Sequence, residues 1–245
     1  MIQRQTEAIV LRTWAFHEAD VIVSLFTREQ GKVKGIARSA LKSRKRFGGA
    51  LEPMTHVRAN YAEKPKQDLM RLDSFEILRS PLSNRMDHAR LAALQFMAEV
   101  LEEAMPEQGP DDAIFRLTAT VLEQVQVDRV WLPVTYFSLW MLRLMGWMPD
   151  LTRCSVCGEA LAGRSAYYDV ESDGVTCARD QRPGAVGLTA ESLALAERIF
   201  RQPLHAFAEE VWPRGRAVDL RRFATQALER HLERRLRAAG ALARS

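Results

Sequence analysis

Residues 6–14, TEAIVLRTW, and residues 20–27, DVIVSLFT, decide the fold. Both are short and rich in β-branched and aromatic residues, and a polar connection containing His17, Glu18 and Asp20 separates them. That is how two neighbouring strands are written. Working outward, a turn at Glu29-Gln30-Gly31 leads into Lys32 to Ala37, where Val33 and Ile36 are the apolar members. A basic stretch, Arg38 to Arg46, follows and is closed by Phe47-Gly48-Gly49. Met54 to Tyr61 and Leu69 to Leu78 supply two more strands, with Lys64-Pro65-Lys66 as the turn between them. Five short strands with regular turn signals in about eighty residues predict a small closed barrel, and an OB-fold is the economical choice.

After Pro81 the period becomes helical. From Asp87 to Met105, apolar residues at Leu91, Leu94, Met97, Ala98, Leu101 and Met105 form one face. Pro106 to Pro110 breaks that helix, and Asp111 or Asp112 caps the next, with Phe115, Thr118, Leu122 and Val125 on its buried side. Pro133 fits the first position of a third helix, Val134 to Trp147, whose all-round apolarity predicts burial. Every cysteine lies in the loop-rich segment from Leu151 to about Val186, where Ser172-Asp173-Gly174 turns a hairpin joining Ala166–Val170 to Val175–Cys177. Thr189 caps Ala190 to Arg201, and a last amphipathic helix runs from Asp219 to about Ala239, with Leu220, Phe223, Ala227, Leu228, His231 and Leu232 on one side. The expected class is α+β and multidomain. It comprises an N-terminal OB-fold β-barrel over 1–80, an α-helical bundle body over 81–150 and 187–245, and an inserted zinc-ribbon-like segment over 151–186.

Hydrophobic residues at 47% and charged residues at 27% of 245 match a globular chain. A net charge of +4 says little until the basic residues are located. The first apolar run, Ala8 to Leu11, is too short for a secretory signal. Val134 to Met148, interrupted by Thr135, Ser138 and Arg143, falls short of the ~20 residues of a membrane span. The expected location is the cytoplasm, in association with the nucleoid and with no membrane partner. Three cysteines within one short segment make no disulfide framework and point to metal ligation.

Lys32, Lys34, Arg38, Lys42, Arg44, Lys45 and Arg46 occur with no acid among them. Such a cluster gains by releasing the counterions condensed on nucleic-acid phosphates, and a barrel adds a groove and aromatics on which bases stack. Phe47, Tyr61 and Trp14 are the candidate stackers, and each has the alternative of being core. The alternative for the cations is a solvated loop. Arg214, Arg216, Arg221, Arg222, Arg230, Arg234, Arg235 and Arg237 are interleaved with Asp219, Glu229 and Glu233, which favours a solvated helix face.

Cys154-x-x-Cys157-Gly158 is a zinc knuckle, and Cys177-x-x-Asp180 follows at the spacing of a four-cysteine ribbon. Asp180 stands in the register of the fourth cysteine, so the expected cofactor is structural zinc on Cys154, Cys157, Cys177 and Asp180. A ribbon without metal is the alternative. Catalysis is not expected. No histidine lies near the cysteines, Gly31-Lys32 lacks the rest of a phosphate loop, Arg153 replaces the proline of a zinc deaminase, and no nucleophile elbow occurs.

In this order of parts the chain resembles the RecO family of bacterial recombination mediators. Glu7-Ala-Ile-Val-Leu-Arg with Glu18-Ala-Asp20 is similar to the family's first strand and turn. Phe26-Thr-Arg-Glu-Gln-Gly31-Lys and Gly35-Ile-Ala-Arg38-Ser are similar to its second and third strands, and Gly49-Ala-Leu-Glu-Pro53 to its entry into the fourth. The cysteine knuckle sits where the family's ribbon begins. The resemblance implies binding of single- and double-stranded DNA, annealing of complementary strands, and joint action with RecR in loading RecA onto DNA coated by single-stranded-DNA-binding protein (SSB). It also implies capture of the acidic SSB C-terminal tail by the helical domain, without nucleotide hydrolysis. Carried over, the DNA role falls on the seven cations and the metal role on Cys154, Cys157 and Cys177. Two other readings compete: an RNA-binding or transcription-associated adaptor, and a zinc-dependent nucleic-acid hydrolase using Asp169, Asp173 or Asp180.

Overall fold

The computed structural model describes residues 2–63, 69–126 and 129–245. The strands are β1 (Ile2–Phe16), β2 (Asp20–Thr27), β3 (Gly31–Ala37), β4 (His56–Glu63), β5 (Met70–Arg79), β6 (Ala166–Asp169), β7 (Gly174–Thr176) and β8 (Val186–Leu188). The helices are α1 (Arg44–Phe47), α2 (His88–Ala104), α3 (Asp112–Gln124), α4 (Trp131–Leu144), α5 (Ala190–Arg201), α6 (Val218–His231) and α7 (Arg237–Arg244). Contacts divide the chain into two compact units, Met1–Val127 with Arg237–Ser245, and Asp128–Leu236.

In the first unit the expected barrel closes in the order β1-β2-β3-β5-β4, with β4 returning to β1. The predicted turn at Lys64-Pro65-Lys66 lies outside the described residues. Alternation builds the interior: Val21, Val23 and Leu25 of β2 meet Val33 and Ala37 of β3, with Ala8, Val10, Val57, Ala59, Leu72 and Phe75 completing the core. β1 serves two partners, and its register shifts between Val10 and Arg12. Such a bulge bends a strand enough to close a small barrel. β3 and β5 pair in parallel from Gly35↔Met70 to Ala37↔Leu72, and a Cβ on Gly35 would strike the Leu72 side chain. Glycine leaves room for the Leu72 side chain where the two strands pair.

Asp87 caps α2, accepting from the Arg90 amide at 2.7 Å, and Asp111 caps α3 through the Ile114 amide at 2.9 Å. Both helices lean on the barrel: Ser24 Oγ donates to Glu102 at 2.6 Å, and the Phe115 ring lies 5.7 Å from Phe26 and 5.8 Å from His56. On α2 the predicted face is buried except for Leu91, which is 42% exposed. α7 packs along α2, its first turn held by the Glu99 carboxylate, which accepts from the Arg237 and Ala238 amides at 2.9 and 2.7 Å.

In the second unit α4 is buried nearly all round, and its Thr135 and Ser138 hydroxyls donate back to Trp131 O and Val134 O. It begins at Trp131, so Pro133 sits inside the first turn rather than at its first position. Three short strands pair in the order β7-β6-β8, and α6 packs on α4 and β8. The single long C-terminal helix expected to about Ala239 is instead two helices. α6 ends at His231, Glu233 turns at φ 53°, and Glu229 accepts from the Leu236 amide at 2.9 Å before α7 begins. Among the described residues no helix is long and apolar enough to cross a membrane.

Candidate nucleic-acid interface and metal centre

The seven cations of the basic stretch divide into two groups. Lys32 and Lys34 project outward from β3 beneath the end of α2. Lys32 Nζ donates to Glu102 O at 2.5 Å, and Lys34 pairs with Glu107 at 2.8 Å. Gln108 adds an amide bond to Lys32 O at 3.0 Å, and the turn there is tight: a Cβ on Gly31, at φ +70°, would collide with the Gly109 backbone. Glu107 raises the Lys34 pKa through its hydrogen bond. These two ammonium groups are already engaged by protein oxygens.

The other five lie on a short, well-anchored loop. Asp20 accepts from the Ser39 amide at 2.7 Å, Ala19 O accepts from Leu41 at 3.2 Å, and Ala40 is buried beneath. Ser39, at φ 51°, turns the chain into a single 3₁₀ turn, after which α1 carries the remaining cations. Arg46 closes the loop on itself, donating to Arg38 O at 2.7 Å and Ser43 Oγ at 3.0 Å. Arg38, Lys42, Arg44 and Lys45 are exposed and have no carboxylate partner among the described residues. Together they place four charges without a carboxylate partner among the described residues on one loop.

Two of the three candidate stackers are core. Phe47 is 2% exposed, edge-on to Phe75 at 5.3 Å, and Tyr61 is 3% exposed inside the barrel. Trp14 alone reaches the surface, with the Arg12 guanidinium 5.2 Å from its ring centroid. Inward and outward positions alternate along a strand, so the same face of β1 also carries Phe16, 37% exposed. Counting by two from Trp14 would have found it.

The C-terminal arginines are largely engaged within the second unit. Arg221 is buried, donating to the carbonyls of Arg214 and Arg216 and lying 4.9 Å from the Trp131 ring; burial lowers its pKa to about 10. Arg216 pairs with Glu210 at 2.7 Å, Arg230 with Asp173 at 3.2 Å and Arg235 with Glu229 at 3.1 Å.

Cys154, Cys157, Cys177 and Asp180 converge, their ligand atoms all within 4.8 Å of one another. Asp180 Oδ2 lies 3.3 Å from both Cys154 Sγ and Cys177 Sγ, and the Cys157 and Cys177 sulfurs are 3.9 Å apart. The knuckle forms because Gly158, at φ +74°, turns its amide back to Cys154 O at 2.9 Å, while Cys154 N donates to Glu159 O at 2.8 Å. β7 approaches so closely that a Cβ on Gly174 would meet the Ser155 side chain. Thiols aimed at one carboxylate perturb each other. Donation from Cys157, then Cys154 and Cys177, holds Asp180 down to about 2, and the carboxylate pushes the Cys157 thiol up to about 11. Burial raises Cys154, but amides of Cys157, Cys177 and Val156 turn the net shift downward. Three sulfurs and one oxygen around a common point can hold a single tetrahedral metal ion.

The other two aspartates of the hydrolase reading are outside that cluster and engaged by other partners. Asp169 accepts from Ser172 Oγ at 2.9 Å and Arg182 at 3.1 Å, and Asp173 accepts from Tyr168 at 3.0 Å and pairs with His231 at 2.8 Å. Both serve the hairpin between β6 and β7.

Two family models match the chain. One described as "Recombination protein O N terminal" covers residues 1–81, and one described as "Recombination protein O C terminal" covers residues 85–239. The chain is 52% identical to the DNA repair protein RecO of Koribacter versatilis (strain Ellin345) across 95% of both chains. It is 35% identical to that of Anaeromyxobacter dehalogenans (strain 2CP-1), covering 97% of this chain and 95% of the relative. It is also 31% identical to that of Synechococcus sp. (strain JA-3-3Ab), covering 96% and 83%.

Proposed function

The chain belongs to the RecO family of non-enzymatic DNA repair proteins, and from that premise we propose that it binds DNA through the loop Arg38–Arg46 and anneals complementary single strands. The observation that carries this reading is the set of four exposed, unpaired cations, Arg38, Lys42, Arg44 and Lys45, on a loop held by Asp20 and Ala19. Cations that neutralise two backbones at once lower the repulsion between strands and let bases pair, without reading sequence. Lys32 and Lys34 belong to the same proposed surface, where DNA phosphates would replace their contacts with Glu102 O and the Glu107 carboxylate. Within the pathway, the protein acts with RecR to help load RecA onto SSB-coated single strands, and its helical domain receives the acidic SSB tail. In this reading the barrel is residues 1–80, the helical domain 81–150 and 187–245, and the Cys-rich insertion 151–186.

The proposed ion is zinc, in a structural role. A tetrahedral zinc with ordinary bond lengths sets its sulfurs about 3.8 Å apart and a sulfur and oxygen about 3.5 Å apart. The observed 3.9 Å and 3.3 Å lie close to both. When bound, zinc would convert the thiols to thiolates and cross-link the knuckle to β7.

The test is annealing of two complementary labelled oligonucleotides, followed by energy transfer. Wild type should accelerate annealing, and a variant with Arg38, Lys42, Arg44 and Lys45 all replaced by glutamate should lose at least about tenfold of that acceleration. Equal rates would remove the loop from the annealing site.

A further inference from the structure

The outer face of the barrel is divided by what covers it. On β2, Phe26 packs under Phe115, and Ser24 is bonded to Glu102, so this end of the face lies beneath the helices of the first unit. Moving two residues at a time toward the other end of the strand brings Ile22, directly opposite Trp14 on β1 and Ile36 on β3. Phe16, next on the same face of β1, has its ring 4.1 Å from that of His17, the two tilted by 58°. Trp14, Ile22 and Ile36 are each half-buried, and Phe16 is exposed. An antiparallel sheet facing water carries polar residues on that side. Here four large apolar side chains stand together across three adjacent strands. Such a cluster needs an occupant, unlike apolar residues scattered singly.

The border of the patch is cationic. Arg12 sets its guanidinium over the Trp14 ring, 5.2 Å from the centroid, Arg38 stands two residues beyond Ile36, and Arg71 pairs in register with Ile36. Acids are present and accounted for: Asp20 is bonded to the Ser39 amide, and Asp73 pairs with Arg71 at 2.9 Å. Glu18 is the exposed exception. The Trp14 indole N–H has no acceptor among the described residues. A flat apolar surface containing two aromatic rings and edged by guanidinium groups complements one class of ligand, single-stranded nucleic acid. Its bases offer π-faces to the rings, and its phosphates offer charge to the rim. Double-stranded DNA keeps its bases stacked internally and cannot use the rings in this way.

We propose that Trp14 and Phe16, with Ile22 and Ile36 beside them, form the platform on which unpaired bases stack while Arg12, Arg38 and the adjacent basic loop track the backbone. The proposal rests on the DNA-binding reading above and adds to it the face that receives the bases. It also gives annealing a geometry: a strand laid base-down on the barrel is held out of its own secondary structure, close to the cations that attract its complement.

The test compares wild type, Trp14→Ala and the four-glutamate loop variant on two labelled strands of equal length, one of thymidines and one of abasic residues. Trp14→Ala removes a ring on which a base stacks and should weaken thymidine-strand binding by roughly tenfold or more. The same substitution should leave abasic-strand binding within about twofold, because phosphates alone remain. Trp14→Phe should retain most of the lost affinity, which a merely misfolded barrel would not. Equal losses on both strands, or no loss on either, would overturn the platform. A loop variant that keeps wild-type affinity would overturn the basic-loop assignment alone, and the platform then stands or falls on the Trp14 comparison.

Discussion

His56 lies edge-on to the Phe115 ring at 5.8 Å, and burial lowers its pKa even though Glu7, 3.6 Å away, pulls it upward. The folded imidazole therefore binds a proton less readily than it does in the unfolded chain. Protons then favour unfolding, and stability that is full above the ordinary histidine pKa of about 6.5 is lost as pH falls through it. Thermal melts should show the midpoint of wild type dropping between about pH 7.5 and pH 5.5, and His56→Gln should flatten that drop. Parallel curves would mean that other groups set the pH response. Asp180 is the second informative residue. Its carboxylate oxygen lies 3.3 Å from two of the three sulfurs, in the position of a fourth ligand. Asp180→Ala should speed loss of zinc to a chelator by at least about tenfold, and Asp180→Cys should hold it as well as or better than wild type. If all three release zinc alike, the ion sits elsewhere.

At the scale of elements, the lock between barrel and helices depends on Phe115, which is 2% exposed and touches both Phe26 and His56. Phe115→Ala should cost about 3–5 kcal/mol in urea unfolding of the protein, with an unchanged slope. A loss under ~1 kcal/mol would mean that the contact is not core packing. The elements themselves were legible where chemistry is local. The turn at Glu29-Gln30-Gly31 separates the second strand from the third, and Asp111 and Thr189 accept from amides three residues on. Long-range choices were not legible. Nothing in the sequence of α6 forecasts its end at His231, because no glycine or proline marks it and the apolar period continues. The reversal is made by tertiary partners, Glu229 on Leu236 and Glu99 on the start of α7. The engagement of Lys32 and Lys34 by residues some seventy positions away is likewise invisible locally, as is the burial of Phe47 and Tyr61. The metal cluster was readable because its spacing is itself the signal, with Gly158 as the turn that the spacing needs.

For the whole molecule, the barrel and the metal ligands belong to different compact units. If the cluster holds the proposed zinc, stripping it should raise amide exchange across residues 152–188 and leave residues 6–27 protected, as read by hydrogen exchange with and without chelator. Loss of protection in both would show that the barrel depends on the metal. The central claim is that the barrel's basic loop holds DNA. The measurement is anisotropy of a labelled single strand titrated across several salt concentrations, with wild type and the variant bearing glutamate at Arg38, Lys42, Arg44 and Lys45. Each phosphate contact contributes about 0.7 to the log–log salt slope, so the variant should bind weakly and lose a slope of roughly 3. Equal affinity and equal slope in the two proteins would contradict the claim and move the site off the loop.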